Sequence, residues 1–137
     1  MNKESLLKIS PVKEEDSIFI WNWRNDSETR IMSKNQKLID WEEHKLWFKK
    51  NLTSKESEMY IFKEKEVPVG VIIFNNLIQN KFEISINLNP EFRGKGYGHI
   101  LLKLGLTNFK KNNKSNYKII ATIKTTNIKS QNLFKKN

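Results

Sequence analysis

The chain has 137 residues, the size of one ordinary domain, and 37% are hydrophobic, with four Trp and eight Phe to fill a core. It has no Cys and only two His, His44 and His99, far apart in sequence, which excludes disulfides, thiolate catalysis, Cys-based metal sites and an H-E-x-x-H zinc site, so no metal is expected. The net charge is +10, yet all fifteen acids lie at or before Glu91, and the stretch from Phe92 to Asn137 holds eleven Lys or Arg and no acid.

In chain order, 5–12 reads as a first strand closed by Pro11, and "EEDSIFIWNW" (14–23) as a helix with acids suited to its N-terminal turn. "RNDSETR" (24–30) breaks that pattern as a loop or a short second helix. Asp40 is placed to cap a helix over "WEEHKLWFKKNL", with Glu43 at the capping-box position, and Trp41, Leu46, Trp47 and Phe48 give it a wide aromatic face. "MYIFK" and "VPVGVIIFNN" form a hairpin around "EKE". "KFEISINLN" alternates strictly: Phe82, Ile84, Ile86 and Leu88 on one face, Glu83, Ser85, Asn87 and Asn89 on the other, until Pro90 ends it. A helix over 97–111 ends in lysines, "YKIIATIK" is a further strand, and "NIKSQNLFKK" a last short helix. No repeat occurs, and no linker is long enough to split the chain, so 1–137 is expected to be a single domain. No apolar run is long enough to cross a membrane and no signal-peptide pattern opens the chain, so the cytoplasm is the expected location, without membrane contact.

The segment between the alternating strand and the long helix carries the chemistry. Gly94, Gly96 and Gly98 stand at alternate positions beside Arg93 and Lys95. A strand running into a Gly-rich turn and a helix N-terminus makes an anion site, because successive backbone N–H groups and the helix dipole converge there. Without that role, three glycines opening a helix cost stability, about 1 kcal/mol each in a helix interior. A P-loop is absent, and a Rossmann site needs an acid about twenty residues on, where this chain has none. The acid-free last third suits a polyanionic ligand, against the plainer alternative of compositional drift.

Arg93, Gly96 and Gly98 match R-x-x-G-x-G, and the chain resembles the GNAT superfamily of acetyl-CoA-dependent N-acetyltransferases in element order along nearly its whole length. The resemblance implies an α+β, three-layer fold, a mixed and mostly antiparallel sheet of about five strands flanked by about four helices. It implies acetyl-CoA as cosubstrate: pyrophosphate on the amides from Gly94 through Lys95, Gly96 and Tyr97 to Gly98, pantetheine paired with backbone near Leu88 where the fourth strand splays from the fifth, and Asn127 and Ser130 on the pantetheine arm. Glu83 takes the place of a general base, or is a solvated or salt-bridged strand residue.

"WNWRND" (21–26) and "DWEEHKLWF" (40–48) resemble the branch of amino-sugar-nucleotide N-acetyltransferases of pseudaminic acid synthesis, so an amino-sugar nucleotide is the expected acceptor. Arg24 and Arg30, in a chain that uses Lys twenty-two times, suggest a need for the planar guanidinium fork, with Asn25 and His44 beside them as acceptor contacts. The structural alternatives are that Arg24 caps a helix or pairs with Asp26 or Glu28, and that His44 packs on aromatics. Two departures from the family stand out. Phe134 occupies the place where relatives carry a Tyr acid, and relatives continue with two further strands, so an exposed edge and a homodimer covering it are expected. The alternatives weighed are transfer to a protein N-terminus or small amine, a coenzyme A-binding module without turnover, and a nucleic-acid binder, which no recognised motif supports.

Overall fold

Period-two alternation builds the sheet. In the computed structural model, which describes residues 3–32, 37–113 and 117–120, β4 (Lys81–Leu88) buries Phe82 and Ile84 while Glu83 is half-buried and Ser85 exposed on the other face. β1 (Leu7–Pro11), β2 (Ser57–Glu64) and β3 (Val67–Ile78) join it antiparallel, and β5 (Lys118–Ile120) pairs with β4 in parallel, giving the order β1-β2-β3-β4-β5. The two hairpins reverse through Lys65–Glu66 and Gln79–Asn80, all four at positive φ, as tight hairpin turns require.

Each face of the sheet carries its own core. Phe62, Ile72, Phe74 and Ile84 pack against Leu101, Leu102 and Phe109 of α5 (Tyr97–Asn112). On the opposite face Ile61, Val71 and Ile73 meet Ile20 and Trp23 of α2 (Ser17–Asn25) and Phe48 of α4 (Trp41–Thr53). The result is the expected three-layer mixed sheet. α5 lies close on the sheet because a Cβ at Gly105 would come within 2.5 Å of Ile72 Cδ1. Among the described residues no helix is long and apolar enough to cross a membrane.

Local details depart from the sequence expectation. Residues Lys3–Leu6 form a helical turn, α1, whose Glu4 pairs with Lys103 of α5 at 3.3 Å, so the first strand starts at Leu7. Glu14–Asp16 is a 3₁₀ turn, and α2 begins at Ser17. Asp16 does more than decorate a helix start: it is buried, accepts from the Lys13 backbone N–H at 2.9 Å and pairs with Lys63 Nζ at 3.2 Å. The 24–30 stretch resolves into the end of α2 and a short helix, α3 (Ser27–Met32). Asp40 caps α4 by accepting from Glu43 N–H at 2.7 Å. Leu46 leaves the aromatic face and is 74% exposed, because the buried stripe of α4 runs through His44 and Phe48, four apart on one side. The last helix, with Asn127, Ser130 and Phe134, lies outside the described residues.

Candidate active site

β4 ends where Pro90 removes an N–H from the ladder. Asn89 fixes this end: its backbone N–H donates to Val69 O at 2.8 Å and its side chain to Pro68 O at 2.9 Å, while its Oδ1 accepts from Glu91 N–H. A 3₁₀ turn (Pro90–Phe92) and four turn residues then lead to α5. Gly94 at φ 73° and Gly96 at φ 83° lie in the left-handed region that disfavours any residue with a Cβ. Among the described residues, chain neighbours aside, a Cβ built on either meets no atom within 4 Å, so both glycines face open space there, at the start of a sixteen-residue helix. Gly96 is the helix N-cap and Gly98 lies in the first turn, so the orphan N–H groups and the positive end of the dipole meet at that space. The cradle fits a pyrophosphate. Lys95 is exposed beside it, its Nζ 5.9 Å from the Phe92 ring centroid.

Two residues expected at the coenzyme face inward. Tyr97 is 5% exposed; its hydroxyl donates to Glu64 Oε2 at 3.0 Å and its ring lies edge-on to Phe92, so it pins the start of α5 to the end of β2. Burial, and then Glu64, push its phenol pKa up. Arg93 turns its fork to α3, with Nη1 2.7 Å from Asp26 Oδ2 and Nη2 donating to Thr29 Oγ1 at 2.7 Å. Leu88 pairs with Gly70 of β3. The described β4–β5 register covers Lys81 to Glu83, and the splay expected near Leu88 lies outside the described residues.

On the other face, α2 and α4 assemble an arginine site. Arg24 lies over the Trp47 ring, 3.9 Å from its centroid, and its Nη1 donates to His44 Nδ1 at 3.0 Å. A guanidinium only donates, so Nδ1 is the bare nitrogen and Nε2 carries the proton, within reach of Ser17 O at 3.1 Å and Ser17 Oγ at 3.0 Å. Burial first, and the Arg24 charge second, bring the His44 pKa down to about 4, so it is a neutral imidazole. Trp41, Trp47 and Phe48 enclose its ring. His44, expected as an acceptor contact, is 0% exposed, and its Nδ1 faces Arg24. Asn25 is likewise committed, donating to Ile39 O and accepting from Ile39 N–H, both at 2.7 Å, and so ties the loop before α4 to α2. The backbone of Arg30 belongs to α3, and its side chain lies outside the described parts.

Glu83 stands opposite Asn75 in the β3 register, on the face of β4 that also carries Ser85 and Asn87. Asn75 accepts from Ser57 Oγ at 2.6 Å, which itself lies 2.9 Å from Asn51 Oδ1 of α4. Glu83 therefore lies in a polar row rather than an apolar wall. Sequence reasoning missed Asp26, Thr29, Ser17 and Glu64. Asp26 had a local signal, an acid immediately before a short helix; the other three depend on contacts between distant segments.

A glycine loop opening a helix beyond the fourth strand of this mixed sheet is the architecture of an acetyl-CoA-dependent N-acetyltransferase. Residues 7–137 match the family described as the acetyltransferase (GNAT) domain, and the chain belongs to that family. It is 30% identical over 135 residues to the acetyltransferase PseH of Campylobacter jejuni, a match spanning 94% of this chain and 83% of that protein. Among solved structures, a domain from Methanocaldococcus jannaschii superposes with a TM-score of 0.79 at 25% identity, over 95% of this chain and 85% of that one. The spermidine N-acetyltransferase of Vibrio cholerae, solved with CoA and spermine, gives a TM-score of 0.83 at 18% identity, over 96% of this chain and 79% of that one, a likeness of fold.

Proposed function

We propose that the acceptor is an amino-sugar nucleotide whose diphosphate meets Arg24 and Arg30. The carrying observation is Arg24 itself: a guanidinium held half-buried over Trp47 by a neutral His44. A planar, fixed donor fork beside an aromatic ring suits an anion attached to a ring system better than it suits a polyamine, which is itself a cation. The resemblance to the amino-sugar-nucleotide branch and the identity with PseH support the same reading.

In this reading the amides from Gly94 to Gly98, with Lys95, hold the pyrophosphate of acetyl-CoA. The backbone at Leu88 and the side chains of Asn127 and Ser130 hold its pantetheine arm. Acetyl-CoA supplies an activated acetyl thioester, and attack by the amine nitrogen on its carbonyl carbon releases coenzyme A as the thiol. The amine must be neutral to attack, so a base must take the ammonium proton; Glu83, on the polar face of β4, does this directly or through a water. Phe134 offers no hydroxyl, and the departing sulfur takes its proton from solvent. The chain works as one cytoplasmic domain. This reading includes a homodimer, which sedimentation at micromolar concentration tests.

A thiol-release assay with acetyl-CoA against a nucleotide-linked amino sugar, spermidine and a peptide N-terminus tests the acceptor. The amino-sugar nucleotide should give the highest kcat/KM, and Arg24→Lys should raise its KM, because Lys cannot reproduce the fork. A higher kcat/KM for spermidine or the peptide contradicts the assignment.

A further inference from the structure

We propose that Arg93 and Thr29 are positioning residues that fasten the acceptor-side helix α3 to the coenzyme loop, so that coenzyme A bound at the glycines orders α3. The proposal rests on the glycine loop being the coenzyme site.

The geometry is a four-residue bridge between segments distant in sequence. Asp26 Oδ2 caps α3 by accepting from Thr29 N–H at 3.2 Å, and the same oxygen lies 2.7 Å from Arg93 Nη1. The other arm of the guanidinium donates to Thr29 Oγ1 at 2.7 Å, and that hydroxyl is 3.4 Å from Asn87 Oδ1 on the polar face of β4. One guanidinium thus holds both the cap and the first turn of α3. The Arg93 and Asp26 side chains are 23% and 22% exposed, which weakens solvent screening relative to a surface pair. A lysine at 93 would keep the charge but could not serve both partners as a planar fork does.

α3 has six residues, too few to be stable without tertiary support, so its order depends on what holds its first turn. Arg93 immediately precedes Gly94. A ligand that fixes the glycine loop also fixes the Cα of Arg93 and hence the fork that holds α3. α3 follows directly on Arg24 and Asn25 and carries Arg30, so ordering it shapes the acceptor side. By linkage, an acceptor that orders α3 tightens coenzyme binding by the same factor.

Hydrogen exchange by mass spectrometry on the full chain, free and with saturating coenzyme A, tests this. In the wild type, coenzyme A should slow exchange both at the loop amides (94–98) and at α3 (29–32). In Arg93→Gln, exchange at α3 in the free protein should be roughly tenfold faster, the effect of losing about 1.4 kcal/mol, and coenzyme A should protect the loop without protecting α3. Thr29→Ser should behave as wild type and Thr29→Val as Arg93→Gln, and this pair decides the matter if Arg93→Gln does not fold. With an accepted amine in hand, Thr29→Val should raise the acceptor KM with kcat nearly kept. Loop protection without α3 protection in the wild type overturns the coupling alone, as does unchanged α3 exchange in Arg93→Gln. No protection at 94–98 overturns the coenzyme site and the coupling together.

Discussion

Replacing Gly96 with Val separates what the fold needs at this position from what the coenzyme needs. Gly96 sits at φ 83° and ψ 5°, and holding an L-residue there costs about 1–2 kcal/mol, more for a β-branched side chain. The described residues add no clash, since a Cβ at Gly96 meets none of their atoms within 4 Å, chain neighbours aside. Stability should therefore fall by about 2 kcal/mol, leaving a folded chain with an unchanged far-ultraviolet spectrum. The ligand pays far more. In the proposed coenzyme site the added side chain would fill the space from which a phosphate reaches the loop amides, and each lost hydrogen bond to a charged acceptor is about 1.5–3 kcal/mol. Losing two raises the Kd of acetyl-CoA at least about a hundredfold. Gly96→Asn sharpens the comparison: Asn tolerates the left-handed conformation, so it should recover stability but not affinity. Calorimetric titration with acetyl-CoA reads both variants. Wild-type affinity in Gly96→Val would refute the reasoning, since it would mean the ligand never approaches this loop.

Glu83→Gln should lower turnover about a hundredfold, the usual contribution of a general base, and shift the pH optimum upward while leaving acetyl-CoA affinity as it was; a wild-type pH–rate profile removes Glu83 from the mechanism. His44 titrates near 4 when folded and near 6.5 when unfolded, so the unfolded chain binds the proton first. Stability should accordingly be level above pH 6.5 and fall by roughly 3 kcal/mol between pH 6.5 and 4, a slope that urea unfolding should find diminished in His44→Gln. Lys63→Met strands Asp16, which is 1% exposed, without its counter-charge, and should cost about 2–4 kcal/mol in the same unfolding assay; a loss below about 1 kcal/mol would show that the pair contributes little.

The fold was legible because its main signals are local. Strict alternation in 81–88, the capping Asp40 and the glycines before Tyr97 each act within a few residues of themselves. The glycine turn was legible for the same reason, since positive φ at Gly94 and Gly96 is a demand on single residues. The acceptor half was less so. Arg24 and His44 do meet, but packing between α2 and α4 decides which side chains face outward, and that packing turns His44 inward and spends Asn25 on Ile39. Arg93 shows the same limit: its partners lie 64 and 67 positions away, and no local rule tells a fork aimed at a phosphate from one aimed at an aspartate.

The most direct test of the central claim is to incubate the chain with isotopically labelled acetyl-CoA and a nucleotide-linked amino sugar, and to follow the label by mass spectrometry. Labelled acetyl on the sugar amine, formed in step with released thiol and lost in Gly96→Val, is the predicted result. Thiol release that leaves the amine unlabelled, or labelling that survives in Gly96→Val, would contradict it.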